Sequence, residues 1–194
     1  MSKVEKWTVH NSKTIAHTRI FSLNEMECSS NIQAGKRSKF VYLDSPDWVN
    51  VIAITPEKKV VLVKQYRHGR REITLEIPGG LCDEEEDVIQ AGLRELQEET
   101  GFTGSSAEII GVVEPNPAFL NNQCSTIVVY QARETEIQNL DDTEEIEVVL
   151  LSLEEVEKYI QSGIIKNAMI IAAFYFFAQF IRKKESKSLL HYSV

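Results

Sequence analysis

Four glutamates, Glu86, Glu95, Glu98 and Glu99, fall within the stretch Gly80 to Phe102, which reads GLCDEEEDVIQAGLRELQEETGF. At about 100° per residue, a helix puts Glu99 roughly 40° from Glu95 and Glu98 roughly 60° to the other side, so three carboxylates share one arc. Like charges four positions apart destabilise an isolated helix by about 0.2 to 0.5 kcal/mol, and Arg94 is placed to offset only Glu98, its i+4 neighbour. Glu95 and Glu99 remain uncompensated within the helix. A hard divalent cation, which prefers oxygen ligands, would relieve that repulsion and be held by it. Magnesium is the natural candidate, with manganese as a substitute. A solvated acidic face is the competing reading for a bare E-x-x-E-E run; the glycine turns before and after the run weigh against it.

Such carboxylates need a helix of defined ends and a sheet to pack on. Residues from about Glu86 to Thr100 contain no proline, and Ile89, Leu93 and Leu96 recur at helical spacing on one face. Gly101 suits a left-handed helix end, and the acid-rich start suits the positive helix N-terminus. Upstream, Trp48 to Ile54 and Lys59 to Gln65 are β-branched runs separated by Thr55-Pro56-Glu57-Lys58, which predicts a hairpin. Thr74 to Ile77 is a short extended piece ending at Pro78-Gly79-Gly80. Strands are predicted near Ala107 to Val113, Ser125 to Arg133 and Ile146 to Ser152. Ser152 reads as the N-cap of a helix that stops at Gly163, and a second helix is predicted from about Lys166 to Lys184. The order predicts a mixed α/β domain with helices packed on a sheet.

A chain of 194 residues, 43% hydrophobic, favours one domain with one sizeable core. We expect an N-terminal extension over 1–40, a main domain over 41–184 and a C-terminal tail over 185–194. A net charge of −8 disfavours nucleic acid as partner, because phosphate backbones are bound by clustered Lys and Arg. An anionic substrate would then be held by metal ions and a few local cations. Cys28, Cys82 and Cys124 form no C-x-x-C pair, so neither a disulfide framework nor a zinc site is indicated, and a cytoplasmic location fits. The apolar stretch from Ala168 to Ile181 is shorter than the roughly 20 residues that span a bilayer, so a buried helix or subunit contact is expected, not a membrane segment.

The spacing of Gly80, Glu86, Arg94-Glu95-Leu96, Glu98-Glu99 and Gly101-Phe102 resembles the Nudix box of pyrophosphohydrolases, G-x5-E-x7-R-E-U-x-E-E-x-G-U, with U a bulky aliphatic residue. Only Phe102 departs from it, and an aromatic ring can fill the same apolar pocket. The lead-in QYRHGRREITLEIPGG, from Gln65 to Gly80, together with Pro117, is similar to the ADP-ribose pyrophosphatase and nucleoside-diphosphate-sugar hydrolase branch. The resemblance covers roughly residues 40 to 180.

That resemblance implies a Nudix fold, an α/β/α sandwich around a mixed sheet, and Mg²⁺-dependent cleavage of a nucleoside diphosphate sugar such as ADP-ribose into two monophosphates. It implies that Glu95, Glu98 and Glu99, with the Gly79 carbonyl, hold Mg²⁺. Glu86 would support the loop or a further ion, and Arg94 would orient the glutamates. Cations must neutralise the diphosphate oxygens and activate a water for in-line attack. The branch takes its general base from a later loop, here Leu140 to Glu145; Glu144 is favoured as base or extra ligand, with Asp142 and Glu145 as rivals. Arg67 and Glu76 match positions that touch substrate, a surface ion pair being the other reading for each. Trp48 could stack on a nucleobase or sit in the core, and Asn116 to Asn122 could line the cleft. The branch also implies a homodimer whose N-terminal strands complete the partner's site. Alternatives are a Nudix hydrolase of GDP-mannose, dinucleoside polyphosphates or oxidised nucleotides, and a non-catalytic Nudix-like nucleotide sensor.

Overall fold

The computed structural model describes residues 4–191, so the first three positions of the expected extension and the last three of the expected tail lie outside the described residues. The chain forms two compact units, one from the chain up to Pro46 with Glu114–Gln123, the other from Asp47–Val113 with the chain from Cys124 onward.

In the first unit, β1 (Thr8–His17), β2 (Ser22–Ser29) and β3 (Arg37–Asp44) form an antiparallel sheet in that order. β1 is exposed along its whole length, and Cys28 of β2 is buried. The segment Asn116 to Asn122 belongs to this unit. It joins the end of β3 through Leu43 N–H to the Phe119 carbonyl at 2.7 Å, and through Asn121, which donates to Asp44 at 2.6 Å.

The second unit is a mixed sheet between two helical layers. Its main path runs β12 (Ile146–Ser152), β5 (Lys59–Arg67), β4 (Trp48–Ile54), β10 (Cys124–Tyr130), β9 (Ser106–Val113). Two short strands, β6 (Glu72–Glu76) and β7 (Gly79–Leu81), pair with β5 and β4. β4 and β10 run parallel and the other pairs antiparallel. Strand side chains alternate between faces, so β4 serves two cores. Val49, Val51 and Ala53 pack with Ala91 and Leu96 of α1 (Val88–Thr100) on one side. Ile52 packs on the other side with Val156 of α2 (Leu153–Gln161) and Ile170, Ala173 and Phe177 of α3 (Ala168–His191). Central strands buried on both faces read as continuous apolar runs, as WVNVIAI and STIVV do. β8 (Phe102–Thr103) and β11 (Arg133–Glu134) form a separate two-stranded pair.

Several boundaries differ from those the sequence predicts. α1 starts at Val88, not Glu86, because the Asp87 side chain caps it by accepting from Ile89 N–H and Gln90 N–H; the acidic run before it lies in the preceding turn. β10 stops at Tyr130, short of Arg133, where Gln131 takes a positive φ of 54° and turns the chain into β11. The glycine corner is itself a strand, with Val49 opposite Gly80. α3 begins after Asn167, whose side chain accepts from Met169 N–H at 3.0 Å, and continues to His191. Ser152 closes a capping box with Glu155 at the start of α2, in agreement with the sequence. Among the described residues, no helix is long and apolar enough to cross a membrane.

Candidate active site

α1 carries the acidic arc against the glycine corner. Leu96 is fully buried and Ile89 and Leu93 pack on the same core, and the adjoining flank of the helix brings Glu95 and Glu99 against β7. The contact is close: a Cβ on Gly80 would lie 2.5 Å from the Glu95 carboxylate, so any larger residue there would have to push that side chain aside. Phe102 is 6% exposed within the α1 core, so the aromatic ring fills the pocket an aliphatic residue would take.

Arg94 binds more partners than its helical spacing suggests. Its guanidinium donates to Glu86 (3.0 and 2.9 Å), to Glu95 Oε1 (2.8 Å), to Glu98 Oε2 (3.0 Å) and to the Leu81 carbonyl (3.0 Å). The expectation that Arg94 offsets Glu98 alone is therefore corrected. The turn before α1 folds Glu86 back onto Arg94, and the planar guanidinium spans its own neighbour Glu95 as well. Glu86 also accepts from Asp83 N–H at 3.0 Å, and its hydrogen bonds to Arg94 hold its carboxyl below the usual range.

Glu99 is the carboxylate without a contacting cation. It is 5% exposed, and its Oε2 accepts one hydrogen bond, from Gly79 N–H at 3.0 Å. Its pKa is pushed up to about 8, mainly by burial and also by the charges of Glu95 and Glu144, against the opposing Gly79 hydrogen bond and Arg67. Burial also raises Glu95, against its bonds to Arg94.

Among the described residues, no three His, Cys, Asp or Glu side chains converge into an ion cage in the present rotamers. Arg94 draws Glu95 and Glu98 aside while Glu99 turns to Gly79. The donor set nonetheless suits a hard cation: one oxygen each of Glu95, Glu98 and Glu99 is left over from these bonds, and a buried carboxylate whose pKa has risen for want of positive charge is what a divalent ion would restore.

Arg67 and Glu76, expected separately, bind each other. Arg67 donates through Nε and Nη2 to the two Glu76 oxygens at 3.1 and 2.7 Å, and Thr74 Oγ1 donates to Glu76 at 2.7 Å. Glu76 is 4% exposed, so the pair is partly buried. Burial opposes the Glu76 charge, but Arg67 outweighs it and lowers the pKa. Of the acidic loop, Glu144 acts on this group: its charge raises Glu95 and Glu99 and helps keep Arg67 protonated. Asp142 is exposed, and Glu145 lines a cavity of about 350 Å³ with Lys64, Tyr66, Ile73 and Glu147. Trp48 is half-buried at the start of β4, opposite Leu81 and Cys124. Thr74 and the Leu81 carbonyl had no sequence signal, since each acts only through a neighbour that folding supplies.

An Arg94→Ala change should destabilise the fold by about 2 kcal/mol, discounted from the roughly 3 to 5 kcal/mol of a fully buried pair because Arg94 is partly exposed. The expected drop in melting temperature, about 4 to 8 °C, is measured by calorimetry.

A helix bearing clustered carboxylates, braced by an arginine and pressed on a glycine corner between the layers of an α/β/α sandwich, defines a hydrolase of phosphate anhydrides. The NUDIX domain profile matches residues 45–170, and the chain belongs to the Nudix family as a Nudix hydrolase. It is 31% identical over 181 residues to an ADP-ribose pyrophosphatase of Bacillus subtilis (strain 168), covering 90% of this chain and 94% of that one. It is 32% identical over 165 residues to a methanol dehydrogenase activator of Bacillus methanolicus, covering 83% and 89%. The solved crystal structure of an ADP compounds hydrolase shares the fold, with a TM-score of 0.83 at 20% identity over 95% of this chain and 98% of that chain.

Proposed function

We propose that this Nudix hydrolase cleaves the diphosphate of ADP-ribose or a related nucleoside diphosphate sugar into two monophosphates, using Mg²⁺, for which Mn²⁺ can substitute. The observation that carries the metal reading is Glu99, a buried carboxylate with no cation in contact, beside Glu95 and Glu98 on one helix. These three residues would hold the ion with the Gly79 carbonyl, while Arg94 and Glu86 fix their positions. The ion supplies charge neutralisation at the diphosphate and a more acidic water.

The chain's own groups supply the rest. Arg67, held by Glu76, binds a phosphate oxygen, and Glu144 takes the proton from the attacking water; its coupling to Glu95, Glu99 and Arg67 supports this choice over Asp142 and Glu145. Trp48 is proposed to contact the nucleoside. The substrate class is supported by the relatives named as ADP-ribose pyrophosphatases and as an ADP-sugar pyrophosphatase. A homodimer is proposed, supported by Val9, Ile15, Phe40 and Val41, which are exposed on the N-terminal sheet. A cytoplasmic location is proposed from the three cysteines, which include no C-x-x-C pair.

The test is purified protein with Mg²⁺ and a panel of ADP-ribose, ADP-sugars, GDP-mannose, a dinucleoside polyphosphate and an oxidised nucleotide. Release of AMP and a sugar phosphate from the ADP compounds is expected, at the highest kcat/KM of the panel. A thermal shift with ADP-ribose but no product would point to a sensor, and preference for another compound would replace the substrate assignment.

A further inference from the structure

The last turn of α1 is capped from outside. Helix C-termini leave backbone carbonyls without intrahelical partners. Here they are met by the segment that precedes the acidic loop. Asn139 N–H donates to the Glu98 carbonyl at 2.9 Å, and the Gln138 side-chain amide donates from Nε2 to the Glu99 carbonyl at 2.6 Å. Thr135 and Glu136 N–H both donate to the Gly101 carbonyl, at 3.0 and 3.1 Å. Gly101 makes this approach possible: it sits at φ 73°, and a Cβ there would run into the Glu136 carbonyl.

Gln138 also reaches the far end of the loop, with Nε2 3.4 Å from the Ile146 carbonyl. Ile146 opens β12, opposite Gln65 of β5. Both neighbours of the amide are carbonyl oxygens, so its NH₂ group must face them. One half-buried side chain thus ties the helix end that carries Glu98 and Glu99 to both ends of the loop that carries Glu144. Within the loop, Glu144 folds back to accept from Asp141 N–H at 3.1 Å, which fixes its direction but not its distance from the helix.

We propose that Gln138 is a positioning residue that sets the separation of Glu144 from the α1 carboxylates by clasping the loop 139–145 at both ends. The inference rests on the reading of Glu144 as the proton acceptor. A side chain that cannot donate leaves two carbonyls unmet and lets the loop drift, and a misplacement of about 1 Å is costly at a reacting centre.

Gln138→Met keeps length and bulk but cannot donate. We expect kcat to fall about 10- to 100-fold, the range typical of residues that orient catalytic groups, with KM little changed. In a Glu144→Gln background the same change should cost nothing further, because both act through one carboxylate. Amide hydrogen exchange over 139–145 should quicken in Gln138→Met whether or not a substrate is known. Unchanged exchange overturns the clasp. Quickened exchange with full kcat, or an equal loss in both backgrounds, overturns its positioning role. A wild-type protein silent on every substrate instead overturns the reading of Glu144 and leaves the exchange result to judge the clasp.

Discussion

A Glu99→Gln protein is expected to fold and to turn over substrate about a thousandfold more slowly, the scale set by removing a group that stabilises transition-state charge. The argument runs through burial. Glu99 is 5% exposed and its pKa is raised to about 8 with no cation present, whereas in the unfolded chain it titrates near 4.3, as glutamates generally do. A carboxyl whose folded pKa is raised favours folding while protonated. Its contribution is complete below about pH 4 and is lost as pH rises toward 8. Wild-type protein in a chelator should therefore lose thermal stability between pH 5 and 8, and Glu99→Gln should lose less. At pH 8 the variant should melt higher than the cation-free wild type while lacking activity. Added Mg²⁺ should raise the wild-type melting temperature more at pH 8 than at pH 6 and leave the variant nearly unmoved. Calorimetry with and without chelator checks each point, and turnover surviving in Glu99→Gln would refute the metal assignment.

Glu144→Gln should lower kcat by about 10² to 10⁴, the usual contribution of a general base. Glu144 is exposed, so its melting temperature should match wild type, and the Mg²⁺ concentration for half activation should hold if Glu144 is no ligand. Asp142→Asn and Glu145→Gln serve as controls, with near wild-type turnover expected. Steady-state kinetics on the three variants decides among the loop carboxylates: a large loss in either control, with Glu144→Gln active, would transfer the role.

Much of this centre is legible because its parts are local. Glu95, Glu98 and Glu99 share an arc by helical arithmetic, Ile89, Leu93 and Leu96 share the buried face, and Gly101 ends the helix at φ 73°. The strand WVNVIAI has the bounds the sequence predicts, since its two-sided burial leaves little choice of face or length. What escapes is set by distant chain. The Gly79–Leu81 strand reads as a turn because its order comes from backbone pairing with β4, which no side chain announces. Arg94 reaches Glu86 only after the intervening turn folds back. Gln138 is an ordinary polar residue until α1 and β12 bring carbonyls to it. α3 outruns its expected end because the added turns, ESKSLLH from 185 to 191, carry no clear apolar period.

The parallel pairing of Cys124 with Trp48 has a temporal consequence. Closing so wide a loop is slow, because chain entropy is spent before the contact returns anything. Glu95 to Glu99 all lie inside that loop, and Glu144 follows it. A chain emerging from the ribosome thus cannot dock its acidic helix on the paired β4 and β10 until residues near 130 have been made, and the sheet is finished only when β12 adds its edge to β5.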